Sequence, residues 1–287
     1  MDVGYVGSAN RKQIGYSPWN SAVTPGPGAI GPRRLLPAYG DMEGGFNLFN
    51  SSYNALRTHL VKRFSAGSQF DVSYTWSRCL TDQSSLAQDQ AENQFNRRAD
   101  WGPCDFDVNH IFQGDYVYEL PFGRGHRLGG NWPAFADYAF GGWPLEGIIR
   151  LESGPPANVV VGSDRANVGA YGAQRPNIVA NPNIGGSRNV DQPWFNIAAY
   201  QMPAIYTFGN AGPYMVRADG MQSFDVALQK EFPVYEQQTV EFRGEFFNMP
   251  NHVNFGLPNA TLTSAAFGKV TSGSAPREIE LSLRYRF

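Results

Sequence analysis

Cys79 and Cys104 are the two cysteines of the chain and its first candidates for chemistry. They stand at the two feet of one polar stretch. In an exported protein that placement points to a disulfide, with two separate thiols as the alternative. Closing the loop would contribute about 3 kcal/mol in the loop-entropy picture. A zinc site does not fit, because there is no C-x-x-C and no nearby histidine pair. Asp105-Phe106-Asp107-Val108-Asn109 opens like a calcium loop. An EF-hand would next need Gly, and Glu at its twelfth position, whereas His110 and Tyr116 stand there. Hydrogen bonding where a loop rejoins a strand is the expected role. Gly123-Arg124-Gly125-His126-Arg127 has the residues of a phosphate loop without Walker spacing, and no helix pattern follows it. A basic turn is expected instead. His59, His110, His126 and His252 are scattered, and no G-x-S-x-G elbow accompanies them. The expectation is a chain with no catalytic residue, no metal site and no cofactor.

The elements that position these residues are strands. In the last nine residues Ile279, Leu281, Leu283, Tyr285 and Phe287 alternate with Glu280, Ser282, Arg284 and Arg286. Strict alternation means a strand with one apolar and one wet face. A terminal strand ending on Phe is the habit of outer-membrane barrels, with apolar residues toward lipid and polar ones toward the lumen. Similar alternation marks residues 1–8, 70–77, 112–120, 143–152, 224–229 and 240–246, and more weakly 53–64, where Lys62 shares a face with Leu56 and Leu60. Lys62 is expected to snorkel at a strand end. These make eight strands. The inward set includes Arg57, Arg63, Asp71, Asp115, Glu119, Glu146, Arg150, Asp225, Glu241, Arg243, Glu245, Glu280 and Arg284. Wall-packing ion pairs are its expected role.

Composition agrees. Gly (32) and Pro (20) are abundant and 14% of residues are aromatic, which favours short strands and loops. A net charge of -2 gives no sign of a nucleic-acid partner. No apolar run reaches the ~18 residues of a spanning helix, and a barrel strand needs only about 9–11 alternating ones. The connections alternate between short (65–68, 233–237) and long (9–52, 78–108, 153–221, 250–276), with 121–141 longer than an inner turn should be. If the last strand descends into the periplasm, every long connection lies outside. Residues 153–221 are aromatic-rich, with Trp194, Phe195, Tyr200, Tyr206 and Phe208. An ordered lid and a mobile surface loop both stay open there.

Several strings resemble a known family. They include Tyr53-Asn54-Ala55-Leu56 with Lys62-Arg63-Phe64-Ser65, Tyr74-Thr75-Trp76-Ser77, and Glu119-Leu120-Pro121-Phe122-Gly123-Arg124-Gly125. Asp105 to His110, Gly141-Gly142-Trp143, Ser153-Gly154-Pro155-Pro156, Arg175-Pro176-Asn177, Trp194-Phe195-Asn196, Phe208-Gly209-Asn210-Ala211-Gly212 and Arg243-Gly244-Glu245-Phe246-Phe247-Asn248 continue in order. Together they resemble the carboxyl-terminal barrel of Oar-like TonB-dependent outer-membrane transporters. The resemblance implies a barrel of about 22 strands around an amino-terminal plug, driven by the energy-coupling TonB complex of the inner membrane. Neither plug, TonB box nor signal peptide is visible in the sequence.

The expected fold is therefore all-β: an antiparallel up-and-down transmembrane barrel, with residues 1–287 forming part of a larger cylinder in the outer membrane. Its expected partners are outer-membrane lipid, the barrel-assembly machinery reading Ile279 to Phe287, the missing plug and amino-terminal barrel, and, through these, the TonB complex. The alternatives are a self-contained small barrel acting as an adhesin or structural protein, and a soluble all-β carbohydrate-binding module, since a sandwich also alternates.

Overall fold

The computed structural model describes residues 1–83, 91–169, 174–184 and 192–287. The remaining residues fall inside the expected loops 78–108 and 153–221 and lie outside the described residues. Eight long strands carry the fold: β1 (Asp2–Ser17), β2 (Gly44–Ser65), β3 (Ser68–Thr81), β4 (His110–Glu119), β5 (Pro144–Glu152), β6 (Met221–Tyr235), β7 (Gln238–Phe247) and β8 (Glu278–Arg286). Each pairs antiparallel with its neighbours in sequence, giving one up-and-down meander. No second large sheet packs on it among the described residues, so the sandwich alternative does not hold.

Register turns alternation into faces. Phe70, Tyr116, Gly147, Val226, Phe246 and Ile279 follow one another across six strands. Gly147 belongs in that apolar row because the Tyr116 ring fills its side-chain space: a Cβ there would lie 2.6 Å from the ring. Three residues along, a row on the other face reads His59, Ser73, Gln113, Arg150 and Ser223. A slip of one residue would exchange the two faces. The apolar face is bare: Tyr5, Leu281 and Leu283 are 71%, 68% and 73% exposed. So large an apolar surface is stable against hydrocarbon and a liability in water. Strands β4, β5, β7 and β8 have 10, 9, 10 and 9 residues, the length of a tilted spanning strand, about 9–11 residues.

Three differences from the alternation pattern have local causes. Strands β1 and β2 run on through residues 9–17 and 44–52, which had read as loop, because the register shifts around Gln13 and Lys12 takes a positive φ of 55°. Such a bulge breaks the two-residue period without ending the ladder. Strand β6 continues through Pro233 to Tyr235. Its pairing with β5 ends at Leu228, so Pro233 has a neighbour on one side only. A short helix, α1 (Ala134–Phe140), follows the basic turn where no helix pattern was read. Seven residues are too few for the 3.6-residue period to stand out. At the β2–β3 turn, Ala66 and Gly67 have φ of 50° and 70°, as a two-residue hairpin turn requires.

The buried core lies in the outer loops, away from the sheet. Trp194, Phe195, Tyr200, Val159, Val216 and Val270 cluster with Phe255 and Phe267, from the β5–β6 and β7–β8 connections. Strand β1 pairs only with β2, and β8 only with β7, so the described sheet is open.

Leu281→Arg, mid-strand on the apolar face, is expected to cost about 2–4 kcal/mol of stability in a bilayer. Ser282→Arg, on the wet face, is expected to change it by less than about 0.5 kcal/mol. Urea unfolding of bilayer-folded protein measures both.

Candidate functional site

Two surfaces can meet a solute: the polar face of the sheet and the loops above it. The polar face carries a recess of about 680 Å³ lined by β1 to β5, among them Arg57, His59, Asp71, Arg150 and Glu152. Within it His59 Nε2 and Asp71 Oδ1 are 2.6 Å apart, and Arg150 pairs with Glu152 at 2.6 Å. Further round the wall Arg243 of β7 holds Glu146 of β5 and Glu245, each at 2.9 Å. Arg286 spans to Glu231 at 2.6 Å and also reaches Glu241. Of the inward charges, Asp71, Glu146, Glu241 and Arg243 are thus ion-paired across strands, and Arg150 and Glu245 within their own. Among the described residues Arg57, Arg63, Asp115, Glu119, Asp225, Glu280 and Arg284 of the inward set make no ion pair. Lys62 reaches the Ser68 hydroxyl at the inner end of the β2–β3 hairpin.

The outer loops form a folded cap. Phe195, Tyr200 and Phe267 meet edge to face with centroids 5.2 to 6.2 Å apart. Burial pushes the Tyr200 phenol up to about 12, so it stays neutral. The Trp194 indole donates to the Arg217 carbonyl at 3.0 Å. Residues 153–169, 174–184 and 192–220 are therefore an ordered lid, the aromatic residues being its interior.

A buried ion triad ties this lid to the β3–β4 loop. Arg175 pairs with Glu92 and with Asp100, both at 2.6 Å, and the side chains are 4%, 3% and 7% exposed. Its remaining donors reach Ala211 O at 2.9 Å and Ala99 O at 3.0 Å, and its backbone N–H reaches Glu92 Oε1 at 2.8 Å. Two carboxylates meet one guanidinium in a desolvated place. Burial pushes Glu92 up to about 7, against the pull of Arg175. Sequence reasoning missed the triad, since Arg175 lies 75 and 83 positions from its two acids. The one available signal was charge embedded in aromatic loop sequence.

The residues singled out by type are placed as follows. Cys79 and Cys104 are joined by a disulfide with Cα atoms 5.4 Å apart. Asp107 accepts hydrogen bonds from the Cys79 N–H at 2.6 Å and from Asn109 at 3.0 Å, and pairs with Arg217 at 2.5 Å. The D-x-D-x-N segment thus works as the loop's re-entry clasp. Among the described residues no group of three or more acids, histidines and cysteines could hold a metal. His110 hydrogen bonds Tyr74 at 2.8 Å, and His59 and His110 are not brought together. The terminal residues Ile279, Leu281, Leu283 and Tyr285 lie on the apolar face of β8, and Phe287 is 98% exposed beyond it.

Glu92 binds a proton more tightly in the cap than in an unfolded loop. Cap stability is therefore full below about pH 4.5, falls as pH rises toward 7, and stays lower above. Hydrogen-exchange protection of the Arg175 amide, corrected for intrinsic rates, is expected to decline from pH 5 to pH 8, and Glu92→Gln to flatten that decline. Arg175→Met strands two buried carboxylates and is expected to cost the cap about 3–5 kcal/mol, read by the same exchange.

No curated protein matches the sequence. A family model described as outer membrane beta barrel domain matches residues 1–280. The match agrees with the bare apolar face and the spanning strand lengths. This chain belongs to the outer membrane beta barrel domain family and resides in the outer membrane.

Proposed function

We propose that the chain is the carboxyl-terminal barrel portion of a TonB-dependent, Oar-like receptor that takes up a ligand across the outer membrane. The observation that carries this reading is the open sheet. Strands β1 and β8 each have one partner, and neither pairs with the other. An unpaired strand edge in hydrocarbon leaves backbone groups unsatisfied, so these edges call for further strands of a wider cylinder. The wall charges support it, since Arg57, Asp115, Glu280 and Arg284 suit a plug or a solute. So do the strings that resemble Oar-like receptors. Arg175-Pro176-Asn177, Trp194-Phe195-Asn196 and Phe208 to Gly212 supply the triad cation, cap core and cap carbonyls. The chemistry is binding and passage, without bond making. Its partners are membrane lipid, the assembly machinery at β8, and the plug and TonB complex of the whole receptor.

Cysteine pairs across β1 and β8, such as Val3→Cys with Leu283→Cys, test this in native outer membranes. Oxidation is expected to leave them unlinked, while the register pair Phe242→Cys with Leu283→Cys links readily. An antibody to the cap is expected to detect a polypeptide well above 31.7 kDa. Efficient β1–β8 linkage within a 31.7 kDa species would establish a self-contained small barrel and overturn the proposal.

A further inference from the structure

The connection between β4 and β5 does not end as a turn; it folds back over the apolar face of the sheet. Tyr138 of α1 packs on Phe232 with centroids 5.4 Å apart, and its hydroxyl donates to Pro233 O at 2.9 Å. Trp143 lies against Phe232 and Phe242 at 6.1 and 6.0 Å. Lys230 shares that apolar face, pairing in register with Phe242, yet is only 8% exposed. Its ammonium donates to Gly141 O and lies 3.5 Å from Asp137 O, at the carbonyl end of α1. A cation at a helix carboxyl end is favourable, and here it rivets the helix to the strand. Other apolar side chains of the connection are bare. Phe135 and Phe140 are 74% and 64% exposed. Trp132 stacks with Phe122 and meets Phe140 edge-on, both at 6.5 Å. Arg124, His126 and Arg127 are exposed in the same segment, and Asp137 is its one acid.

An apolar side rich in Trp, Tyr and Phe beside exposed cations, continuous with a lipid-facing sheet, is the pattern of a segment lying in a membrane interface. We infer that residues 121–143 are an interfacial anchor for anionic glycerophospholipid in the leaflet on the short-turn side. Phe135 and Phe140 enter the acyl boundary, and Arg124 and Arg127 hold lipid phosphate. Guanidinium groups suit phosphate because their paired N–H groups match its oxygens. The inference rests on the outer-membrane placement and not on the transporter reading.

The test uses the full chain in nanodiscs of phosphatidylglycerol or phosphatidylcholine. A fluorophore is attached at Phe135→Cys, the native cysteines being paired. Expected are quenching by brominated acyl chains and shielding from iodide. Lys230→Met is expected to release the helix and restore iodide quenching, with heat-modifiable migration showing that the sheet still folds. Phosphatidylglycerol retained in detergent, counted by native mass spectrometry, is expected to fall three- to tenfold in Arg124→Gln/Arg127→Gln. Phosphatidylcholine retention is expected to stay unchanged, and millimolar inorganic phosphate is expected not to compete. Iodide access to residue 135 in the wild-type background, or equal retention of both lipids by the wild type, would overturn the anchor. Competition by inorganic phosphate would overturn the lipid and leave a free-anion site.

Discussion

Hydrocarbon offers a peptide group nothing to bond with, and the architecture follows from that constraint. Every backbone N–H and C=O within the bilayer must find its partner in the next strand. The meander answers it by pairing each strand with its sequence neighbours along most of its length, in continuous antiparallel register. Once the ladder carries the polar backbone, side chains divide by parity alone, apolar toward lipid and charged toward the lumen. The sheet then has no interior of its own, and the stabilising burial moves to the ends of the strands.

At the outer end burial takes the form of a small globular fold. The cap combines an aromatic core with an ion triad that is costly to desolvate and worse to break. Burial holds the Glu92 carboxyl near neutrality against the pull of Arg175, and the neighbouring Asp100 adds to the shift. The disulfide and the Asp107 clasp fix the β3–β4 loop where it returns to the sheet. At the inner end, α1 and Lys230 do the corresponding work against the apolar face.

Fold class was legible because the two-residue period needs only local sequence: the Ile279 to Phe287 pattern and its counterparts in β3 to β7 are β8 and its neighbours. It was illegible where the period breaks. The bulge at Gln13 and Lys12 hid half of β1 and β2, and seven residues of α1 were too few to show a helix. The site was partly legible. Cys79 and Cys104 flank one loop, so their proximity is nearly local. Arg175 comes from a different loop than Glu92 and Asp100, and Lys230 reads as an ordinary strand residue until the helix above it is seen. Pairings that depend on how distant loops cross carry no short-range signal.

The β5–β6 loop touches all the other outer loops. Arg33 donates to Asn167 O at 2.7 Å and Asn167 to Gly26 O at 2.8 Å, tying in the β1–β2 loop. Arg175 ties in β3–β4, and the Val160 amide bonds Ala260 O at 2.9 Å, tying in β7–β8. The outer rim is thus wired as a hub with three spokes. Motion there has few independent degrees of freedom: no spoke swings away without first losing its hold on the hub, and Gln94 also joins the β3–β4 spoke to Trp19 O and Ser21 of the β1–β2 spoke, each at 2.8 Å.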